Sequence, residues 1–180
     1  MILLGLDPGL RRTGWGVIAV DGNRLRHIAS GTVASDPAAP IAQRLVVLHE
    51  GVVAAIESHR PDEAAIEETF VNRNPASALK LGLARGVVLL APARAGLPVA
   101  EYAANRVKKA LVGAGHAQKQ QIAAMINVLL PDARPAGPDA ADALAVAICH
   151  AHYRNTPAAR LEALAASAAG AGGSGAGSHP

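Results

Sequence analysis

The sequence predicts an α/β fold in which helices flank a mixed sheet of five strands. Its first 34 residues have the pattern of three consecutive strands, and helix and strand patterns alternate after them. That order is typical of a mixed sheet covered by helices. The 180 residues suffice for one domain with a sizeable core, and a composition of 51% hydrophobic and 17% charged residues excludes a disordered chain.

Turn residues separate the predicted strands. The first three strands form a meander, with Asp-Gly-Asn at 21–23 as a hairpin turn. The fourth and fifth each stand between two helices. The predicted strands are residues 2–6, 14–20, 24–34, 62–69 and 97–102.

The predicted helices follow from apolar spacing and from prolines. Apolar residues recur at helical spacing over 41–58, and Pro61 ends this helix. Pro75 opens the next one at a first-turn position, where no amide proton is needed. The predicted helices are residues 41–58, 75–91, 104–112, 119–130 and 139–153. Beyond them Ala, Gly and Ser dominate, so we expect one domain over 1–155 and a flexible tail over 156–180.

Cysteine content and hydropathy predict the compartment. Cys149 is the only cysteine, which precludes an intramolecular disulfide and favours a reducing compartment. The N-terminal apolar run is interrupted by Asp7 and lacks a basic leader, unlike a signal peptide. No stretch is expected to be long and apolar enough to span a membrane. We therefore expect a cytoplasmic protein with no membrane partner.

Basic residues are concentrated in the middle of the chain. Residues 72–121 contain eight lysines and arginines against one acid, Glu101, although the net charge is only +3. This distribution is typical of either a solvated face or a surface that binds a polyanion. Four aromatic residues are too few for base-stacking platforms, so a nucleic acid would be held mainly through its phosphates.

Several acids lie where a core is expected. Asp7 ends the first strand, and Asp-Pro-Gly is also ordinary turn chemistry. Glu67 and Glu68 end an apolar strand, where an unpaired acid is costly. Asp139 and Asp142 share one face of the last helix. An N-terminal cap or a contact with the helix dipole would explain Asp139 alone, but Asp142 lies a full turn further in.

These acids have no obvious protein partners in the sequence. Asp7, one of the two glutamates, Asp139 and Asp142 would repel one another if they met. Two divalent cations would neutralise them, and oxygen ligands favour Mg²⁺ or Mn²⁺ over zinc. Such an ion pair supports phosphodiester hydrolysis, so an acidic pocket beside a basic surface predicts a nuclease.

Four motifs resemble the RuvC family of Holliday junction resolvases. They are "LGLDPGLRRTGWGVI", "AAIEETFVNRNPASALKLGLARGVV", "VAEYAANRVKKALVGAGHAQKQQI" and "PDAADALAVAICHA", and the resemblance runs from Met1 to about His152. It implies a ribonuclease H-like nuclease domain that resolves four-way junctions by paired symmetric cuts in recombination and DNA repair. It also implies a homodimer, two Mg²⁺ ions per active site, and RuvA and RuvB as branch-migration partners.

The resemblance also implies roles for individual residues. The metal-binding and catalytic acids would be Asp7, Glu67, Asp139 and Asp142, with Glu67 chosen over Glu68 because the family's acid follows the "AI" pair. Lys119 would be a catalytic cation and Lys108 a phosphate contact. The DNA-binding residues would be Phe70, Arg73, Lys80, Lys108, Lys109 and Lys119.

Three other classes share part of this pattern. Sugar-kinase and actin-like ATPases open with a similar "DPG…TG", but they need two such domains and longer chains. Short ribonuclease H-like nucleases that act on RNA share D-x-G without the other motifs. A junction-binding protein without cleavage would gain nothing from four acids that repel phosphate.

Overall fold

A computed structural model describes residues 1–68, 75–115, 117–154 and 156. The strands are β1 (Ile2–Asp7), β2 (Arg12–Asp21), β3 (Arg24–Ala34), β4 (Glu63–Glu68) and β5 (Val99–Ala103). The helices are α1 (Ile41–His59), α2 (Pro75–Arg94), α3 (Ala104–Val112), α4 (Lys119–Leu129) and α5 (Pro138–Tyr153). Every element predicted from the sequence is present within a few residues of its predicted bounds. The predicted tail lies almost wholly outside the described residues.

The five strands form one mixed sheet in the order β3-β2-β1-β4-β5. β1 pairs with β2, and β2 with β3, in the antiparallel sense expected of a meander. β1 and β4, and then β4 and β5, pair in parallel. The carboxyl ends of β1 and β4 therefore lie at the same edge of the sheet.

Each face of the sheet has its own core. Leu3 and Ala65 pack with α3, α4 and α5 on one face, while Leu4 and Ile66 pack with α1 and α2 on the other. Because side chains alternate along a strand, Asp7 shares the face of Leu3, and Glu67 shares the face of Ala65. Both acids therefore point to the side of the sheet that α5 covers.

Glycines allow α5 to lie directly on the sheet. A Cβ atom at Gly5 would overlap the backbone of Ala143 and Ala147, and one at Gly14 would overlap the backbone carbonyl of Asp139. Only glycine at these two strand positions permits so close an approach. The first turns of α5 are thus fixed against the carboxyl end of β1.

A buried polar network holds the other end of α5. His150 shares hydrogen bonds with Glu63 at 2.9 Å and with the Tyr102 hydroxyl at 2.9 Å. Arg154 donates two hydrogen bonds to Glu63, at 3.0 and 2.6 Å. The hydrogen bonds from Arg154 lower the pKa of Glu63, and burial lowers the pKa of His150. This network fixes α5 along β4.

We expect Glu63→Gln to lower the free energy of unfolding by about 2–4 kcal/mol, because it removes the negative charge that pairs with Arg154 in this partly buried network. Urea unfolding at pH 7.5 measures the loss, and Glu50→Gln on the exposed side of α1 is the control. An equal, small change in both variants would contradict a stabilising role for the network.

The same network gives wild-type stability a pH dependence. The unfolded chain protonates His150 below its ordinary pKa of 6.5, whereas the folded chain resists protonation. The stability that this network contributes should therefore fall as the pH drops below about 6.5, and fall further below 4.5 as Glu63 loses its charge.

Helix α2 leaves an apolar stripe uncovered. Leu79, Leu83 and Leu90 are 69%, 43% and 46% exposed, on the side away from the buried Ala84 and Val88. Among the described residues, α2 is also the one helix whose length and composition would allow it to cross a membrane. The expectation that no stretch would reach that threshold was wrong, because α2 is apolar around most of its circumference.

Candidate active site

Asp7 and Glu67 lie side by side at one edge of the sheet. Leu6 pairs with Ile66 in the parallel register of β1 and β4, so the next residues of both strands are neighbours. Both acids lie on the face covered by α5. Glu68 follows on the opposite face, as alternation along a strand requires.

Helix α5 brings two more acids to this edge. Asp139 lies in its first turn, after Gly137 at the N-cap and Pro138, and Asp142 lies one turn further along. Within the described contacts, α5 has no side-chain cap, so the capping alternative for Asp139 was wrong. An acid in the first turn still interacts favourably with the helix dipole.

A pocket of about 240 Å³ lies between the sheet edge, α3, α4 and α5. Three of the predicted acids line it together with two of the predicted cations. The lining residues that carry charge are Asp7, Glu67, Lys108, Lys119 and Asp142. Apolar side chains such as Val107 and Ile122 form the rest of its wall. The predicted acids and lysines therefore share one cavity, although they come from five separate elements.

Asp139 faces a separate, more open groove. This groove has a volume of about 440 Å³ and is lined by Gly9, Leu10, Arg11, Arg12 and Asp139. Asp139 still contributes to the pocket's electrostatics, because its charge raises the pKa values of Asp7 and Asp142.

Burial and mutual repulsion raise the pKa values of the pocket acids. The pKa of Asp7 rises to about 7, first through loss of solvation and then through the charges of Glu67, Asp142 and Asp139. Burial, followed by Asp142, raises the pKa of Glu67. Burial also raises the pKa of Asp142, against the opposing charge of Lys119. These acids are close enough together to oppose one another's ionisation.

Two cations lie beside the acids of α5. The Lys119 Nζ is 3.9 Å from Asp142 Oδ2, and an Arg12 Nη is 3.9 Å from Asp139 Oδ2. The interpretation that these acids lack protein partners was therefore wrong for Asp139 and Asp142. Both cations come from segments distant in sequence, so helical spacing could not reveal them.

The donor set fits a hard divalent cation. All four candidate ligands are carboxylates, and burial makes their shared negative charge costly without a counterion. Among the described residues, no group of three His, Cys, Asp or Glu side chains is already close enough to hold an ion. Binding would therefore require the carboxylates to draw together, which the repulsion between them opposes until a cation is present.

Two of the other predicted DNA contacts lie away from the pocket. Lys80 and Lys109 are exposed on α2 and α3 and do not line it. Phe70 and Arg73 lie outside the described residues. Arg85, part of the basic stretch, pairs with Glu101. The basic stretch is thus only partly available to a polyanion.

Comparison with known proteins identifies the family. The family model described as "Crossover junction endodeoxyribonuclease RuvC" matches residues 3–150. The chain belongs to the RuvC family. The predicted ribonuclease H-like, five-stranded mixed sheet is thereby confirmed, as is the prediction of a nuclease. As members of a nuclease family, RuvC proteins depend on a divalent metal, which agrees with the carboxylate donor set.

Relatives match over nearly their whole length. RuvC from Paramagnetospirillum magneticum is 62% identical over 156 residues, covering 87% of this chain and 94% of the relative. RuvC from Azorhizobium caulinodans is 62% identical over 162 residues, covering 90% and 96%. Both are described as crossover junction endodeoxyribonucleases.

Solved structures agree with this assignment. Thermus thermophilus RuvC in complex with a Holliday junction substrate is 37% identical, with a TM-score of 0.79 over 90% of this chain and 96% of that one. The yeast mitochondrial resolvase Ydc2 is 12% identical with a TM-score of 0.61, a likeness of fold alone.

Proposed function

We propose that this chain resolves four-way DNA junctions by paired symmetric cuts, using two Mg²⁺ ions per active site, with Mn²⁺ as a possible substitute. The observation that carries the proposal is the pocket in which Asp7, Glu67 and Asp142 meet Lys108 and Lys119. Acids and cations in one cavity suit a phosphodiester, because the acids can hold metal while the lysines attract phosphate.

Each charged residue has a proposed role. Asp7, Glu67, Asp139 and Asp142 would hold the metal ions, and they are the proposed catalytic acids. Bound metal would activate a water and stabilise the leaving oxygen. Lys119, whose side chain is 87% exposed, can move from Asp142 toward charge that develops at the cut. Lys108 is half-buried in the wall and would hold a phosphate in place.

Loss of Lys119 should lower the cleavage rate, whereas loss of Lys108 should weaken junction binding. We expect Lys119→Ala to lower the maximal single-turnover rate by about 10–100-fold with little change in junction affinity. We expect Lys108→Ala to weaken binding and to reduce its salt dependence by roughly one phosphate contact. Rates at saturating enzyme and binding titrations in several salt concentrations measure both. Equal losses of rate and affinity in the two variants would contradict these separate roles.

The apolar stripe of α2 supports a homodimer. Leu79, Leu83 and Leu90 lie on one exposed face with Gly82 and Gly86, where an added Cβ would meet no atom within 4 Å. Glycines on such a face let a second helix approach closely, and a second copy of the chain would cover the stripe. Two copies would place two active sites against two strands of a symmetric junction. This cover, rather than a membrane, is the role we propose for α2.

Gly86→Leu tests the dimer cleanly, because open space surrounds Gly86 within one protomer. We expect the variant to keep its melting temperature at low concentration and to dissociate at micromolar concentrations where the wild type is dimeric. Sedimentation velocity measures the dissociation. Gly96→Ala is unsuitable as a control, because Gly96 has a positive φ of 74°. Ala124→Leu, at an exposed position of α4 on the other face of the sheet, is the preferred control. A wild-type monomer at these concentrations would contradict the proposal.

Other proposed features rest on the family. RuvA and RuvB would be the branch-migration partners, the cytoplasm the compartment, and recombination and DNA repair the setting. Phe70, Arg73, Lys80 and Lys109 would be additional DNA contacts. Residues 1–155 would form the nuclease domain and 156–180 a flexible tail. The reducing compartment agrees with Cys149, a single buried thiol whose pKa burial raises to about 12.

Substrate choice tests the proposed function. Wild-type protein with Mg²⁺ or Mn²⁺ should cut a four-way DNA junction much faster than a linear duplex of the same sequence or an RNA–DNA hybrid. Preferential cutting of the hybrid would favour the alternative of a nuclease that acts on RNA. Tight junction binding with no cleavage in either metal would favour the alternative of a binding protein.

A further inference from the structure

We propose that Arg12 binds a backbone phosphate of the junction next to the scissile one, and that the groove it lines is a substrate-binding subsite. The inference rests on the proposed function, since it needs a DNA strand to pass over the acids. It concerns a residue outside the basic stretch 72–121 and outside the DNA contacts predicted from the sequence. The pair of arginines that follows Asp-Pro-Gly after one leucine was the only sequence signal for it.

The loop that carries Arg12 is held firmly in place. The Thr13 hydroxyl donates to the Gly9 carbonyl at 3.0 Å, and Thr13 is fully buried. Ser35 donates to the Leu10 carbonyl at 2.6 Å through its hydroxyl. Arg44 donates to the same carbonyl at 3.2 Å. These contacts anchor the loop, and Arg12 lines the open groove beside it.

The ion pair with Asp139 does not account for Arg12. Its side chain is 59% exposed, and the nearest oxygen of Asp139 is 3.9 Å away. An exposed pair at that separation contributes little to stability. If Asp139 holds metal, as proposed above, the metal neutralises the charge of Asp139. Arg12 then loses its acidic partner. The guanidinium then stands free beside the cut, where it can bind a phosphate through two hydrogen bonds.

Arg12 and Lys119 lie beside different acids of α5 and in different cavities. Lys119 lies beside Asp142 in the pocket, and Arg12 lies beside Asp139 in the groove. The two acids are three residues apart on α5, about 4.5 Å along the helix axis. A strand whose scissile phosphate lies over the acids would therefore pass both cations. The open groove suits a phosphate better than a base, since none of the described residues that line it is aromatic.

The test compares Arg12→Ala with Arg24→Ala, which removes the same charge from an exposed position at the start of β3. Single-turnover junction cleavage in Mg²⁺ is measured against enzyme concentration at several salt concentrations. For Arg12→Ala we expect the half-saturating concentration to rise about 10-fold, with a maximal rate within about 3-fold of wild type. The salt dependence should decrease by roughly one phosphate contact, and Arg12→Lys should recover most of the loss. Arg24→Ala should match wild type.

Equal half-saturating concentrations and salt dependence in Arg12→Ala and Arg24→Ala would overturn the inference. So would a fall in maximal rate with unchanged half-saturation, which would make Arg12 a support for Asp139 instead. Melting temperatures of both variants show that neither result comes from unfolding. If the wild type itself does not cleave junctions, the proposed function fails. If it cleaves them and Arg12→Ala is unaffected, only this inference fails.

Discussion

Asp7→Asn is expected to reduce junction cleavage by several orders of magnitude while junction binding persists. The amide keeps the size of the side chain but removes the charge that would hold the metal ions. Catalysis depends on those ions to activate the nucleophile and to stabilise the leaving group, so the cleavage rate should fall sharply. Binding rests mainly on basic residues, and removing an acid beside phosphate should leave it unchanged or tighten it in the absence of metal.

The same variant should be more stable than the wild type without metal. The pKa of Asp7 is raised to about 7, so the ionised carboxylate is costly in the folded state. Between the unfolded pKa near 3.8 and the folded value, the folded chain binds the extra proton at Asp7, so the contribution of Asp7 to wild-type stability becomes less favourable as the pH rises. At pH 8, Asp7→Asn should gain about 2 kcal/mol. Urea unfolding in EDTA measures it, and a less stable variant would contradict the electrostatic account.

Glu67→Gln is expected to abolish cleavage, whereas Glu68→Gln should keep most of it. The two glutamates are adjacent in β4 but lie on opposite faces, and only Glu67 lines the pocket with Asp7 and Asp142. Burial and Asp142 raise the pKa of Glu67, which places it among the acids that bound metal would neutralise.

The pair is its own control, since both changes remove one negative charge from the same strand. Single-turnover rates at saturating enzyme, with binding measured separately, distinguish a lost metal ligand from a lost DNA contact. An inactive Glu68→Gln beside an active Glu67→Gln would show that the proposed residue roles on β4 are inverted. Asp139→Asn and Asp142→Asn should resemble Glu67→Gln.

Local patterns in the sequence were enough to predict the elements of the fold. Apolar alternation and turn residues defined the strands, and prolines marked the end of α1 and the start of α2. The end of α2 was less predictable. The predicted end at residue 91 is three residues short, because the helix continues past Pro92 to Arg94, and Gly96 follows in a left-handed conformation with φ 74°. A proline in the last turn removes one hydrogen bond without ending the helix.

The site was predictable in its acids and less so in its cations. An acid at the end of an apolar strand is unusual enough to notice, which is how Asp7 and the pair Glu67 and Glu68 became candidates. The choice of Glu67 over Glu68 came only from the family resemblance. The pairing of Arg12 with Asp139 and of Lys119 with Asp142 depends on how the loop after β1 and the start of α4 pack against α5. Such contacts between distant segments leave no periodic pattern. For the same reason, the sequence could not predict that Asp142 lines the pocket while Asp139 lines the groove.

The most direct test of the central claim is the position of bound metal. Crystals of the wild-type protein soaked in Mn²⁺ should show anomalous scattering from two ions between Asp7, Glu67, Asp139 and Asp142, and crystals of Asp7→Asn should lose at least one of them. Manganese bound only elsewhere, or equal occupancy in Asp7→Asn, would contradict the assignment of this pocket as the metal-dependent active site.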